Sequence, residues 1–194
     1  MEQELPPLLY VDMSTELANE RAEQISQMLH VTVHGLSLDA LKELKKAAKL
    51  QPGTNIVCNY YRFDEVNKIL RGQKTQVIPL RMTLGDETKR KLNQLSPGSK
   101  VVFIFDEADQ SRLGLILEDY RRAFEEHHLD FVSRSVKDLP RVMKSDNFAE
   151  VLVSNRIWQS IGEDIQHAYN VTHPIMEFDP SSIEESKMQL GIIA

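Results

Sequence analysis

The chain has 194 residues, 41% of them hydrophobic and 27% charged, the balance of a soluble globular protein and not of a disordered, fibrous or membrane-inserted one. That length holds one ordinary domain or two small lobes sharing their crossings, and excludes two large independent domains. Lys and Arg number 23 against 29 Asp and Glu, a net charge of −6, so these residues lack the basic face that meets nucleic acid phosphates.

Residues 1–7 are acidic and carry two prolines where a signal peptide is basic and then apolar, and they read as a linker. Leu8-Leu9-Tyr10-Val11 is a buried-strand run that stops at Asp12-Met13-Ser14-Thr15, whose hydroxyls can cap a helix carrying Leu17, Ala18, Ala22, Ile25 and Leu29. A second strand is expected over residues 30–34, a second helix over 38–50, and a third strand over 55–58 after the stop Gln51-Pro52-Gly53. That strand ends at Asn59-Tyr60-Tyr61-Arg62 and a short helix follows through Val66 and Leu70. Residues 77–84 look extended, and Pro79 moves them to a sheet edge or to a crossing between lobes.

The rhythm then restarts. A helix is expected over 86–95, the turn Ser96-Pro97-Gly98, and the most apolar strand over 101–105, ending at Asp106-Glu107-Ala108-Asp109. A long helix over 112–128, a strand at 131–133, a short helix over 136–143, a strand at 151–153 and a helix over 158–169 follow. Residues 171–178 are extended, Pro180 opens a final helix, and the apolar end at 190–193 needs a surface to dock on. Short apolar runs alternating with amphipathic stretches give an α/β fold, with parallel or mixed sheets and crossover helices. No apolar run approaches the ~18 residues of a membrane span. The single cysteine, Cys58, forms no internal disulfide and lies in an apolar run. Cytoplasmic location, no membrane partner and no sequence repeat are expected.

In open α/β sheets, ligands sit at the carboxyl ends of strands. Residues 12–15, 59–62, 106–110, 133–135 and 154–156 lie there. Their Ser, Thr, Asn and Arg can hold an anionic or polar small molecule through hydroxyls, amides and a guanidinium, and the same residue types also serve as ordinary helix caps. The expected ligand-binding set is Ser14, Asn59, Tyr60, Arg62, Arg81, Thr83, Ser154, Asn155 and Arg156. No nucleophile, base and orienter combine into a catalytic set, so no catalytic residue, cofactor or metal is assigned. Residues 102–109, VFIFDEAD, are similar to the strand and acidic pair of a nucleotide-hydrolase magnesium site, but no G-x-x-x-x-G-K-[ST] accompanies them; Asp106 and Asp109 are expected to cap the next helix instead. His30 and His34, on one strand, stand too far apart to chelate without other ligands.

The two-lobed order has a proline-bearing crossing near Pro79 and a second near His173-Pro174. With NYYRFDEV and VLVSNRIW, it resembles the effector-binding domain of GntR-type transcription regulators whose sensor has a type-two periplasmic-binding-protein-like fold, over nearly the whole chain. The resemblance implies a two-lobed, periplasmic-binding-protein-like molecule, with residues 8–80 and 174–194 in one lobe and 81–173 in the other. It also implies a small-molecule effector in the interlobe cleft, a homodimer, and DNA as a partner only through a missing N-terminal helix-turn-helix domain. Asn59-Tyr60-Tyr61-Arg62-Phe63 is similar as well to the N-x-T-R-F signature of prephenate dehydratases, with Tyr61 in place of the threonine. A lyase is therefore the alternative, and a stand-alone small-molecule-binding protein the third reading.

Overall fold

Leu8–Asp12 (β1) is apolar and almost wholly buried, which only a central strand covered on both faces tolerates. The computed structural model describes residues 8–107, 110–145, 147–168 and 171–192, with the side chains of Asn155, Asp164, His167 and Ala168 left out. Residues 1–7, read above as a linker, and Asp109, read as a helix cap, lie outside that set.

After β1 the Ser14 hydroxyl accepts a hydrogen bond from the Leu17 amide at 3.2 Å and so caps α1, Thr15–Leu29. Ala18, Ala22, Ile25 and Leu29 recur at helical spacing and form its buried stripe. His30 ends the helix in the left-handed region at φ 56. The second strand, β2, is therefore Val33–Ser37, and the expected strand at 30–34 is displaced by the cap, leaving His30 and His34 on different elements. Ser37 caps α2, Leu38–Lys46, which stops before Ala48 at φ 52. Then come β3, Asn55–Asn59, one 3-10 turn at Tyr60–Arg62, α3, Phe63–Ile69, β4, Gln76–Leu80, and β5, Met82–Leu84.

The second half follows with α4, Asp86–Asn93, β6, Lys100–Phe105, and α5, Gln110–Ala123. The helix expected to 128 ends early, because Phe124 leaves helical geometry and a 3-10 turn at Glu125–His127 closes on His128 at φ 52. Next are β7, Asp130–Ser135, α6, Leu139–Met143, β8, Glu150–Val153, α7, Asn155–Ser160, α8, Glu163–Ala168, and β9, Val171–Thr172. The single helix expected over 158–169 is broken by extended Ile161 before Gly162. Finally β10, Met176–Phe178, leads to Asp179, whose carboxylate accepts from the Ser181 amide and caps α9, Pro180–Leu190.

The chain divides into two compact units: unit 1 runs to Thr83 and resumes at Phe178, and unit 2 is Leu84–Glu177. Each is an α/β layer structure on a four-stranded sheet whose neighbours are all parallel, ordered β2-β1-β3-β4 in unit 1 and β7-β6-β8-β9 in unit 2. Pro79 sits on β4, an outer strand, where a missing N–H costs no ladder bond on the open side. β5 and β10, at the two crossings of the chain, pair as a separate two-stranded sheet.

Among the described residues, each four-stranded sheet has a core on both faces. In unit 1, α1 and α9 contribute to one core with Tyr10, Val57, Leu80, Phe178 and Ile183, and Leu190 and Ile192 pack against it, the docking expected for the apolar end. The opposite face holds Val11, Leu41, Ile56, Cys58 and Val66. In unit 2 one core joins Leu92, Phe103, Leu117, Tyr120 and Phe131, and the other joins Ile104, Leu139, Val153 and Ile157. Alternate residues of each central strand feed opposite cores, as the two-residue period of a strand requires.

Candidate functional site

The carboxyl edge of the unit 1 sheet is organised around Asp12, the last residue of β1, which is 5% exposed. Its carboxylate accepts from the Tyr10 hydroxyl at 2.9 Å and the Met13 amide at 2.7 Å. Arg62 Nε lies 3.4 Å from Asp12 Oδ1, and Arg62 Nη1 donates to Glu65 Oε2 at 3.1 Å. Arg62 itself is only 7% exposed, so its charge is held by carboxylates, as a buried cation requires. The local fold brings it there: Asn59 Oδ1 accepts from the Tyr61 amide at 3.0 Å and starts the 3-10 turn that carries Arg62 back toward the end of β1. Burial, and then the neighbouring Asp12 charge, push the Tyr10 hydroxyl well above its usual pKa. The same two causes push the Cys58 thiol up to about 12.

Asn59, Tyr60 and Arg62 therefore share one turn, and Asp12 ties that turn to the loop holding Ser14. Tyr60 is 39% exposed and Tyr61 meets it edge-on, ring centroids 6.0 Å apart. The hydroxyl of exposed Ser14 is engaged as the α1 cap. Arg81 is exposed between β4 and β5. Its backbone N–H donates to Ser182 Oγ and its carbonyl accepts from the Asp179 amide, so the start of α9 fixes its place. Thr83 is partly buried on β5.

Unit 2 offers a parallel arrangement. Asp106 follows β6, and Arg156, the second residue of α7, places Nη1 3.4 Å from Asp106 Oδ2, with the two side chains 46% and 20% exposed. Asp106 thus meets Arg156. Ser154 occupies the cap position of α7 without capping it, and its Oγ is buried without a hydrogen-bond partner. The Asn155 side chain is outside the described set. Trp158 stacks on His173, centroids 5.8 Å apart and planes 18° from parallel. At the other edge of this sheet Glu150 Oε1 accepts from Lys91 Nζ at 3.0 Å and from the Thr172 hydroxyl at 2.6 Å. That cluster satisfies a carboxylate that is 3% exposed.

The two edges repeat one another. In each unit an Asp stands at the carboxyl end of the sheet's first strand, an Arg stands on the turn or helix after its third strand, and the two pair across adjacent parallel strands. The same number of residues separates Asp12 from Arg62 and Asp106 from Arg156. Sequence reasoning passed over Asp12, Asp106 and Glu65 as site residues; the equal Asp-to-Arg spacing in the two halves was the available signal. Among the described residues no three His, Cys, Asp or Glu side chains are grouped to hold a metal ion, and no helix is long and apolar enough to cross a membrane.

No protein-family model matches the chain, and no curated protein matches it. A solved structure from Corynebacterium glutamicum, described as a transcription regulation repressor of the LacI family, is similar with a TM-score of 0.41 and 11% identity, over 95% of this chain and 88% of that one. A likeness at that level assigns neither a family nor a ligand.

Proposed function

We propose that this chain is a small-molecule sensor that holds a polar or anionic effector at the carboxyl edges of its parallel sheets. The carrying observation is the repeated Asp–Arg pair at the carboxyl edges, where open α/β sheets place their ligands. Exposed side chains there include Tyr60 and Arg81 in unit 1 and Arg156 in unit 2, residue types suited to stacking and to charged hydrogen bonds. In line with the resemblance to GntR-type sensor domains, we read the effector as a signal to a DNA-binding domain elsewhere in the regulator, and the sensor as a homodimer. No catalytic step is assigned to it. A ligand that binds only the folded state raises the melting temperature with its concentration, so a thermal-shift screen of polar metabolites tests the reading. A hit is expected to lose about tenfold or more in affinity in Arg156→Gln, the loss of one charge-assisted hydrogen bond. A hit whose affinity is unchanged in Arg156→Gln, Tyr60→Ala and Arg81→Gln alike removes the site.

A further inference from the structure

We propose that the two equivalent arginines differ in what they accept, and that the residue three positions further on decides it. Arg156 takes an oxyanion, a carboxylate or phosphate oxygen, and Glu65 closes Arg62 to one. The proposal rests on the reading of the carboxyl edges as ligand sites and adds which edge meets the charge.

Both arginines hold the same place in their units and both meet an Asp from the first strand. A guanidinium presents its N–H donors in a fixed planar fork, and that Asp takes only part of it. In unit 1 Glu65 Oε2 takes Nη1 at 3.1 Å, so two carboxylates face one cation that is 7% exposed. An arriving anion must first displace Glu65. In unit 2 the corresponding residue is Gln159, an exposed neutral amide. Arg156 meets Asp106 there, and the arginine side chain is 46% exposed. An anion reaches the guanidinium there without displacing a carboxylate. Glu and Gln have nearly the same shape and differ by one charge, so exchanging them isolates the electrostatic term.

Calorimetric titration of the whole chain with inorganic phosphate, against chloride at matched ionic strength, tests the rule in the wild type and in Gln159→Glu, Glu65→Gln and Arg156→Gln. The expected result is one phosphate site in the wild type, weakened about tenfold or more in Gln159→Glu and in Arg156→Gln, and a second site in Glu65→Gln. All three substituted positions are partly or largely exposed, and far-ultraviolet circular dichroism confirms that each variant is folded. Phosphate binding that Arg156→Gln abolishes and Gln159→Glu leaves intact overturns the selectivity rule while the ligand site stands. Binding indifferent to Arg156→Gln, or absent from all four proteins, overturns the rule and the anion site together.

Discussion

Asp12 carries more of the unit 1 edge than any residue chosen for its ligand chemistry. It receives the Tyr10 hydroxyl, the Met13 amide and the Arg62 guanidinium while 5% exposed. Asp12→Ala leaves the Tyr10 hydroxyl without its acceptor and takes from Arg62 one of its two carboxylates, so it is expected to destabilise the protein by about 1–3 kcal/mol, read from urea unfolding. Tyr10→Phe removes one hydrogen bond from a carboxylate that keeps its other partners, and is expected to cost about 1–3 kcal/mol. Cys58 behaves differently because nothing pairs with its charged form strongly enough to offset burial, and its pKa rises to about 12. The unfolded thiol ionises near pH 8.5 and the folded one stays neutral. That difference leaves the Cys58 contribution intact below about pH 8.5 and removes it as pH rises toward 12. Stability is therefore expected to fall over that alkaline window more steeply in the wild type than in Cys58→Ala, and Cys58 to resist alkylation at pH 8 until the chain unfolds. The residue types of the candidate site were legible, since Ser, Asn and Arg stand directly after apolar runs. What they bond to was not: Asp12 and Arg62 meet only because β1 and β3 lie side by side, and no local pattern announces that.

Elements were legible where local chemistry decides them. Apolar runs buried on both faces marked β1, β3, β6 and β8, and a hydroxyl cap marked α1. They were misread where one backbone conformation decides, as at His30, whose left-handed φ ends α1 without glycine to signal it, and at Phe124, which leaves helical geometry after α5. Two serines at helix starts make contrasting predictions. Ser14 caps α1 through its hydroxyl, so Ser14→Ala is expected to cost about 0.5–2 kcal/mol. Ser154 makes no cap bond and buries an unpartnered Oγ, so Ser154→Ala relieves an unsatisfied group and is expected to be neutral or stabilising by thermal melting. Gly35 reports how tightly α1 lies on β2. A Cβ there falls 2.5 Å from the Ala18 carbonyl carbon and the Asn19 amide nitrogen, backbone atoms that yield only if the helix moves. Gly35→Ala is expected to cost about 1–3 kcal/mol or more through overpacking, seen as a lower urea midpoint with unchanged m-value. A small loss there means that α1 shifts readily.

At the scale of the molecule the two units share a strand order but not a chain plan, and this separates their folding. Unit 2 is one unbroken stretch, Leu84–Glu177, and its described residues hold both faces of its sheet: Leu92, Phe103 and Phe131 on one side, Ile104, Leu139 and Ile157 on the other. Unit 1 needs the chain to leave and return. Phe178 and Ile183, from beyond unit 2, are buried in the same core as Tyr10, Ile25 and Leu80, and Tyr10 meets the Phe178 ring edge-on at 5.9 Å. Arg21 lies over that ring at 5.5 Å. A segment that owns its whole core folds on its own, whereas one missing two buried anchors loses several kcal/mol, a large part of the stability of a small domain. A fragment spanning residues 84–177 is therefore expected to unfold cooperatively on heating, followed by circular dichroism, and a fragment ending at residue 83 to lack a cooperative transition. Adding a peptide of residues 178–194 to the second fragment is expected to restore one, because the peptide supplies Phe178, Ile183 and the α9 cover. If the fragment ending at residue 83 melts cooperatively without the peptide, the returning segment is a covering of unit 1 and not a part of its core.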